Sequence, residues 1–286
     1  MAKAPQYKRF TRSRAGNFFF FLFILLAGLF TILPLIYCVT TSFKPMDELM
    51  AFPPRFFVTR PTLSNYAALP GLLSTLRIPI SRFILNSLLV SLAVTVGHVI
   101  VAGMAAFTLS TWKNKFTVIV NALVQMALLY NAYTLGTPQY LIFAKTGVID
   151  TYLAYILPAL PSAMGIFLMK QYMDGNVPAA LIEAARIDGA SYYRIFGQIV
   201  MPLARPAWLT LALFAFRDSW AMQPGGTIFS ESLKTLPVVL GQIGTDIARA
   251  GSIMASTVLM MIPPIVVYML SQSHVMETMS TAGIKD

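Results

Sequence analysis

The chain has 286 residues, of which 57% are hydrophobic and only 11% are charged, and its mean hydropathy is +0.69. This balance supplies more apolar surface than a soluble core can bury, which excludes an ordinary soluble domain and indicates a membrane protein. The formal net charge of +10 is also typical of nucleic-acid-binding proteins, but its distribution along the chain argues against that class.

Apolar segments of about 20 residues, long enough to cross a hydrocarbon layer ~30 Å thick, recur along the chain. Six are predicted, near residues 17–40, 83–111, 117–143, 151–171, 205–224 and 252–273. The fourth and fifth are the least regular, because Pro158, Pro161, Pro206 and an Arg-Asp pair interrupt them. The predicted fold class is an all-α membrane protein with six transmembrane helices and both termini on one side, its membrane domain spanning residues 17–274.

Basic residues at the start of the chain predict its orientation. Residues 1–16 carry Lys3, Lys8, Arg9, Arg12 and Arg14, and by the positive-inside tendency they lie in the cytoplasm. Six crossings then return residues 275–286, the C-terminal tail, to the same side. The segment 41–82 is also basic, which opposes this orientation, but the N-terminal cluster is denser. The first span is too long for a signal peptide, so we expect it to remain as a span.

Residues 41–82, which follow the first span, are rich in proline and aromatic side chains. This composition predicts a structured external cap with short helices, suited to meeting an extracytoplasmic protein. A disordered linker is the alternative, but disordered segments are poor in aromatic residues.

The second span combines small residues with one histidine. Its glycines and alanines allow close helix approach in lipid, which indicates that spans two and three form the scaffold of the bundle. His98 lies in the middle of this span, where an ionisable residue suggests a function. A neutral imidazole bonded to a neighbouring helix is favoured over a proton relay, because spans two and three contain no second histidine and no carboxylate.

A polar segment, residues 174–204, separates the fourth and fifth spans. Pro178 suits a first helical position, Gly189 a left-handed helix exit, and Ser191 the N-cap of a second short helix. The segment therefore predicts a helix, a turn and a helix.

The side chains of this segment predict docking rather than catalysis. Alanines at positions 179, 180, 184 and 185 leave a low-relief face that another protein can approach closely. Glu183, Arg186 and Asp188 add directional charge. The alternative is an ordinary amphipathic connector in which Glu-Ala-Ala occurs by chance, because these residues are good helix formers.

The fifth span contains two adjacent charges, Arg217 and Asp218, with Trp220 close behind them. Adjacent positions on a helix face different directions, so we expect each charge to need a separate partner or water. Intramembrane charges usually face an aqueous cavity, and an arginine there can bind a carboxylate with two hydrogen bonds. A structural salt bridge to a partner subunit is the alternative.

Motifs for catalysis are missing from the sequence. No glycine is followed by lysine, so the chain contains no P-loop, and it has neither His-Glu-x-x-His nor Gly-x-Ser-x-Gly. Its single cysteine and two histidines form no metal-ligand pattern. We therefore predict no catalytic, cofactor-binding or metal-binding residues, and a protein that is not an enzyme.

The polar segment carries a resemblance to a known family. Glu183, Ala184, Ala185 and Gly189, followed by Ile199, Pro202 and Pro206, resemble the EAA loop of bacterial ABC-importer permeases. Residues 183–191 look most like the carbohydrate branch, the permeases of the maltose-transporter type. The likeness extends to residues 41–45, 147–152 and 281–285. Relatives commonly have Trp-Asn-Asp in the fifth span; Trp220 keeps the first position, but Ala221 and Met222 depart. The resemblance makes Arg217, Asp218 and Trp220 candidates for a substrate path.

The resemblance implies a permease subunit of an ATP-driven importer in the bacterial inner membrane. The implied cargo is carbohydrate, with oligosaccharides, acidic ones included, as the expected class. The implied partners are a second homologous permease, a dimeric ABC ATPase that binds ATP and Mg²⁺, and an extracytoplasmic solute-binding protein; no nucleic acid is expected. Glu183, Arg186 and Asp188 would orient the ATPase contact, Ala184 and Ala185 would seat the helix, and Gly189 would make the turn.

Two other classes stay open at this point. An ion-coupled secondary transporter needs midplane carboxylates, and only Asp218 suggests one. A channel-like or scaffold protein has no use for a spaced coupling loop.

Overall fold

The computed structural model describes residues 14–74, 78–129, 135–242 and 249–282, and within these ranges the regular structure is helical. The predictions for most of the basic leader (1–13), for the middle of the third span (130–134) and for the end of the tail (283–286) lie outside the described residues. The α-helices are α1 (Arg14–Ser42), α2 (Met46–Leu49), α3 (Ser64–Ser74), α4 (Ile80–Thr111), α5 (Lys115–Ala127), α6 (Gly136–Thr146), α7 (Leu153–Ala159), α8 (Ala163–Asn176), α9 (Ala179–Ile187), α10 (Tyr192–Ile195), α11 (Met201–Leu203), α12 (Arg205–Trp220), α13 (Leu236–Gly241) and α14 (Ala250–Ala282).

The helices account for part of the predicted membrane topology. Among the described residues, three helices are long and apolar enough to cross a membrane, and they lie in α1, α4 and α14. Two bent pairs raise the number to five: α7 with α8, bent by 45°, and the segment Tyr192–Leu203 with α12, bent by 85°. The predicted third span is divided between α5 and α6. The all-α class is thus confirmed, and the described residues contain three to five segments that are long and apolar enough to cross a membrane.

The chain divides into two compact units. The first, residues 1–69 and 245–258, contains α1 and most of the predicted cap. The cap is ordered by hydrogen bonds: the Glu48 carboxylate accepts from the hydroxyl and amide of Thr59 and from the amide of Arg60. These donors, the Thr59 hydroxyl first, lower the pKa of Glu48. The described part of this segment is therefore ordered and contains the short helices α2 and α3, while its role as an external cap stays a prediction.

In the second unit, residues 70–244 and 259–286, α4 is the central helix and packs against α5, α7, α8, α12 and α13. Its buried positions include Ala102 and Ala106, both with no exposed surface, in one core with residues of α8, α9 and α12. Small side chains let these backbones approach closely, so the scaffold role predicted for the second span is confirmed.

A carboxylate fastens two loops of this unit. Asp150 accepts hydrogen bonds from the amides of Phe229 (2.9 Å) and Ser230 (2.8 Å) and from the Ser230 hydroxyl. These bonds, led by that of the hydroxyl, lower the pKa of Asp150. The loop after α12 is consequently tied to the loop between α6 and α7.

Candidate functional site

The polar segment folds as the helix, turn and helix that its sequence predicts. Pro178 is the N-cap of α9, one residue before the predicted first helical position. Gly189 follows the helix with φ +78°, in the left-handed region that favours glycine. The Ser191 hydroxyl then caps α10 by accepting from the Arg194 amide at 3.3 Å.

Helix α9 has one buried side and one exposed side. Ala185, 9% exposed, packs into the core formed by α4, α8 and α12. Ala180, Glu183, Ala184 and Ile187, spaced by three and four residues, are all exposed. We call these four residues the outward face of α9. The four alanines therefore do not share one docking face, because Ala185 seats the helix while the others point outward.

Two exposed apolar side chains next to the turn were not predicted from the sequence as part of the site. Ile187 is 87% exposed and Tyr193 is 80% exposed. The spacing of Ile187 from Glu183 and Ala184 is a signal that places it on the outward face. Both large apolar side chains therefore lie on the surface of this chain, beside the charged residues of α9.

The charged residues of α9 occupy different surroundings. Arg186 lies with its guanidinium 5.3 Å from the centre of the Tyr192 ring, and that ring contacts Trp112 edge to face. Asp188 is the exposed C-cap of the helix. Arg186 is thus held against an aromatic side chain of α10 and links the two short helices.

A cleft of about 990 Å³ lies beside α9, between the ends of α4 and α8 and the start of α5. Glu183 and Arg186 line it. On its α8 wall, Asp174 accepts from Lys170 (2.6 Å) and from Ser110 (2.6 Å), so α8 and α4 are bonded to each other there. The end of α8 that precedes α9 is therefore bonded to the end of α4.

The candidate path residues of α12 lie apart from this site and differ from expectation in one respect. Arg217 and Asp218 pair with each other, with Nη2 and Oδ1 2.8 Å apart, and their side chains are 62% and 65% exposed. The prediction that each needs a separate partner is wrong. The long arginine side chain bends back along the helix surface, over the Phe214 ring at 5.5 Å, and spans the angle between adjacent positions.

Trp220 is buried, with 4% of its surface exposed. Its indole N–H donates to the Met260 carbonyl of α14 at 3.0 Å, and its ring stacks on Phe216. Trp220 does not share a surface with the Arg217–Asp218 pair, and the substrate role of all three residues stays a prediction.

Comparison with known proteins identifies the family of this chain. A family model described as "Binding-protein-dependent transport system inner membrane component" matches residues 104–280, which include α9, its turn and α12. The chain belongs to this family. It is accordingly an ABC-transporter permease subunit, a multi-pass protein of the bacterial inner membrane, and not an enzyme. Members work in general with an ATPase, a solute-binding protein and a second permease. Membership decides against the ion-coupled secondary transporter.

Individual relatives cover nearly the whole permease. The inner membrane ABC transporter permease protein YcjP of Escherichia coli (strain K12) is 27% identical over 96% of this chain and 98% of its own length. The arabinooligosaccharides transport system permease protein AraQ of Halalkalibacterium halodurans is 28% identical, with coverage of 89% and 91%. The sn-glycerol-3-phosphate transport system permease protein UgpE of Agrobacterium fabrum is 26% identical over 88% of this chain and 91% of its own length.

A solved structure extends the likeness to the fold. A chain of a bacterial ABC transporter that imports the acidic polysaccharide alginate superposes with a TM-score of 0.72 and 23% identity. The superposition covers 95% of this permease and all of that chain. The family fold therefore includes the regions outside the matched residues 104–280.

Proposed function

We propose that this permease subunit imports carbohydrates, with oligosaccharides, acidic ones included, as the cargo class. AraQ, named for arabinooligosaccharides, and the importer of alginate support this class. UgpE is named for sn-glycerol-3-phosphate, a small polyol that is also anionic. Hydroxyl-rich cargo is common to all three. Uptake of labelled oligosaccharides and of glycerol phosphate by the reconstituted transporter tests the proposal, and uptake of glycerol phosphate alone would contradict it.

The topology that accompanies this function has six crossings, with both termini in the cytoplasm. The third crossing comprises α5 and α6, the fourth comprises the bent pair of α7 and α8, and the fifth is α12. The basic leader supports this orientation by the positive-inside tendency. Helix α9 lies between the fourth and fifth crossings and is then cytoplasmic, on the side where ATP is available.

Coupling to the ATPase takes place at the outward face of α9. The observation that carries this step is a helix anchored inward by Ala185 and exposed along Ala180, Glu183, Ala184 and Ile187. Glu183, Arg186 and Asp188 orient the contact by charge. ATP and Mg²⁺ are bound by the partner, and the helix needs only to bind one ATPase state better than the other for transport to follow.

A bulky substitution on the outward face tests the coupling. Ala184→Trp places a large side chain on the exposed face, and Ala221→Trp is its matched control at an exposed position after α12. We expect the ATPase to be lost when the Ala184→Trp permease is purified from cells that make the whole transporter, while the second permease is retained. The control should retain both, and ATPase retained by both variants would contradict the proposal.

A further inference from the structure

The fourth crossing is broken in its middle, and the break is held by α4. Helix α7 ends at Ala159 and α8 begins at Ala163, with a bend of 45° between them. Pro158 lies in the last turn of α7 and Pro161 lies within the break, and neither has the backbone N–H that a continuous helix requires. The last carbonyls of α7 consequently lack helical partners.

His98 of α4 supplies one of those partners. Its Nδ1 lies 2.8 Å from the Ala159 carbonyl oxygen, and since a carbonyl only accepts, Nδ1 carries the proton. The side chain is buried, with 7% of the residue exposed. The predicted hydrogen bond from His98 to a neighbouring helix is therefore present, and its acceptor is the end of a broken helix.

The other edge of the ring rests on α8. A β-carbon at Gly165 would lie 2.7 Å from His98 Nε2, so only glycine leaves room for the ring. The neighbouring Gly97 makes a similar approach to Leu160 in the break itself, where a β-carbon would lie 2.5 Å from Cδ2. One turn of α4 thus touches the end of α7, the break and the first turn of α8.

We propose that His98 is a positioning residue for transport, which holds the break between α7 and α8 as a hinge. Helix α8 leads directly into α9, with Val177 and Pro178 between them. A push on α9 by the ATPase then turns α8 about residues 160–162 instead of unwinding the end of α7. This inference rests on the proposed function, since it presumes that α9 receives the push.

Three substitutions separate the hydrogen bond from the volume of the ring. The amide nitrogen of asparagine stands as many bonds from Cα as Nδ1 does, whereas that of glutamine stands as far as Nε2. In the purified complete transporter in proteoliposomes, we expect cargo imported per ATP hydrolysed to fall about three- to tenfold in His98→Leu and His98→Gln. His98→Asn should stay within about twofold of the parent, because a hydrogen-bond donor remains at the Nδ1 position. Equal ratios in all variants, or retention by His98→Gln but not by His98→Asn, would overturn the proposal.

The hinge can be measured without transport. The chain has one cysteine, Cys38, and in a Cys38→Ser background spin labels at Leu153 and Gln171, both exposed, span the break over roughly 25 Å. We expect the distance distribution in the complete transporter to broaden in His98→Leu and to stay narrow in His98→Asn. A narrow distribution in both would contradict the hinge.

A second test displaces the His98 ring while leaving the residue unchanged. Gly165→Ala puts a methyl group against Nε2, and we expect the same loss of coupling ratio as in His98→Leu. Gly103→Ala is the matched control, a glycine of α4 whose β-carbon would meet Met201 and Phe196 at 3.3–3.5 Å, away from the break. A normal ratio in Gly165→Ala would count against the proposal even where His98 variants fail to accumulate. Loss of ATPase in Ala184→Trp is independent of these results, so failure of the hinge and failure of the coupling site remain distinguishable.

Discussion

Two polar interruptions of an otherwise apolar chain behave in opposite ways. Residues 178–191 adopt the helix, turn and helix that their sequence indicates, with Gly189 in the left-handed region and Ser191 as a cap. Residues 217–220 depart from expectation in one respect, because Arg217 and Asp218 pair with each other, and Trp220 bonds to α14, a partner that the sequence does not indicate. Local backbone signals thus predicted the first segment correctly. In the second segment, the side-chain partners depended on tertiary contacts that the local sequence does not specify.

The strongest test of the locally determined segment is Gly189→Val. A β-branched residue resists a φ of +78°, at a cost of order 1–3 kcal/mol, and no atom lies within 4 Å of the missing β-carbon. We expect uptake to fall at least about tenfold while the protein stays in the membrane. The control is Gly147→Val, since Gly147 ends α6 with φ +71° and equally open surroundings. Equal loss of uptake in both variants would show that backbone strain anywhere is sufficient.

The strongest test of the packed segment is Trp220→Ala. Removing a buried indole should lower the free energy of unfolding by about 3 kcal/mol, measured by denaturant titration in micelles. Trp220→Phe keeps the stacking on Phe216 but loses the hydrogen bond to the Met260 carbonyl. We expect it to lower the free energy of unfolding by about 1 kcal/mol. Normal stability of the alanine variant, together with altered cargo affinity, would instead assign Trp220 to the path.

The cap at Ser191 provides a smaller effect in the first segment. Ser191→Ala removes the acceptor for the Arg194 amide and should cost about 1 kcal/mol, observed as faster amide exchange in residues 192–195. Ser191→Asp should retain the protection, because aspartate is an equally good cap. Unchanged exchange in Ser191→Ala would mean that packing, rather than the local cap, holds α10.

The smallest effect is expected for the Arg217–Asp218 pair. Both side chains are more than half exposed, so a double-mutant cycle to alanine should give a coupling of about 0.2–1 kcal/mol in the free energy of unfolding. A larger coupling would indicate that the assembled transporter buries the pair. Changed cargo affinity in Arg217→Ala would support the substrate path, and poorer assembly with normal transport would support a salt bridge to a partner subunit.

Much of the architecture was predictable and part of the site was not. Apolar runs predicted where α1, α4 and α14 lie, and prolines predicted the irregular fourth and fifth segments. The inward direction of Ala185, the exposure of Tyr193 and the acceptor of His98 could not be predicted. Each depends on which helix lies opposite, and a single sequence does not specify that neighbour.

The sequence alone determined the class of this protein and the local form of its polar segment, residues 178–191. Hydrophobic composition is a property of the sequence itself. Helix caps and a left-handed glycine depend on residues close together in the chain, so they can be predicted from the sequence. The tertiary structure decided how Trp220, His98 and Ala185 are used. Each is packed by residues at least 40 positions away in the sequence or on another helix, and such contacts form only when helices close to within van der Waals distance.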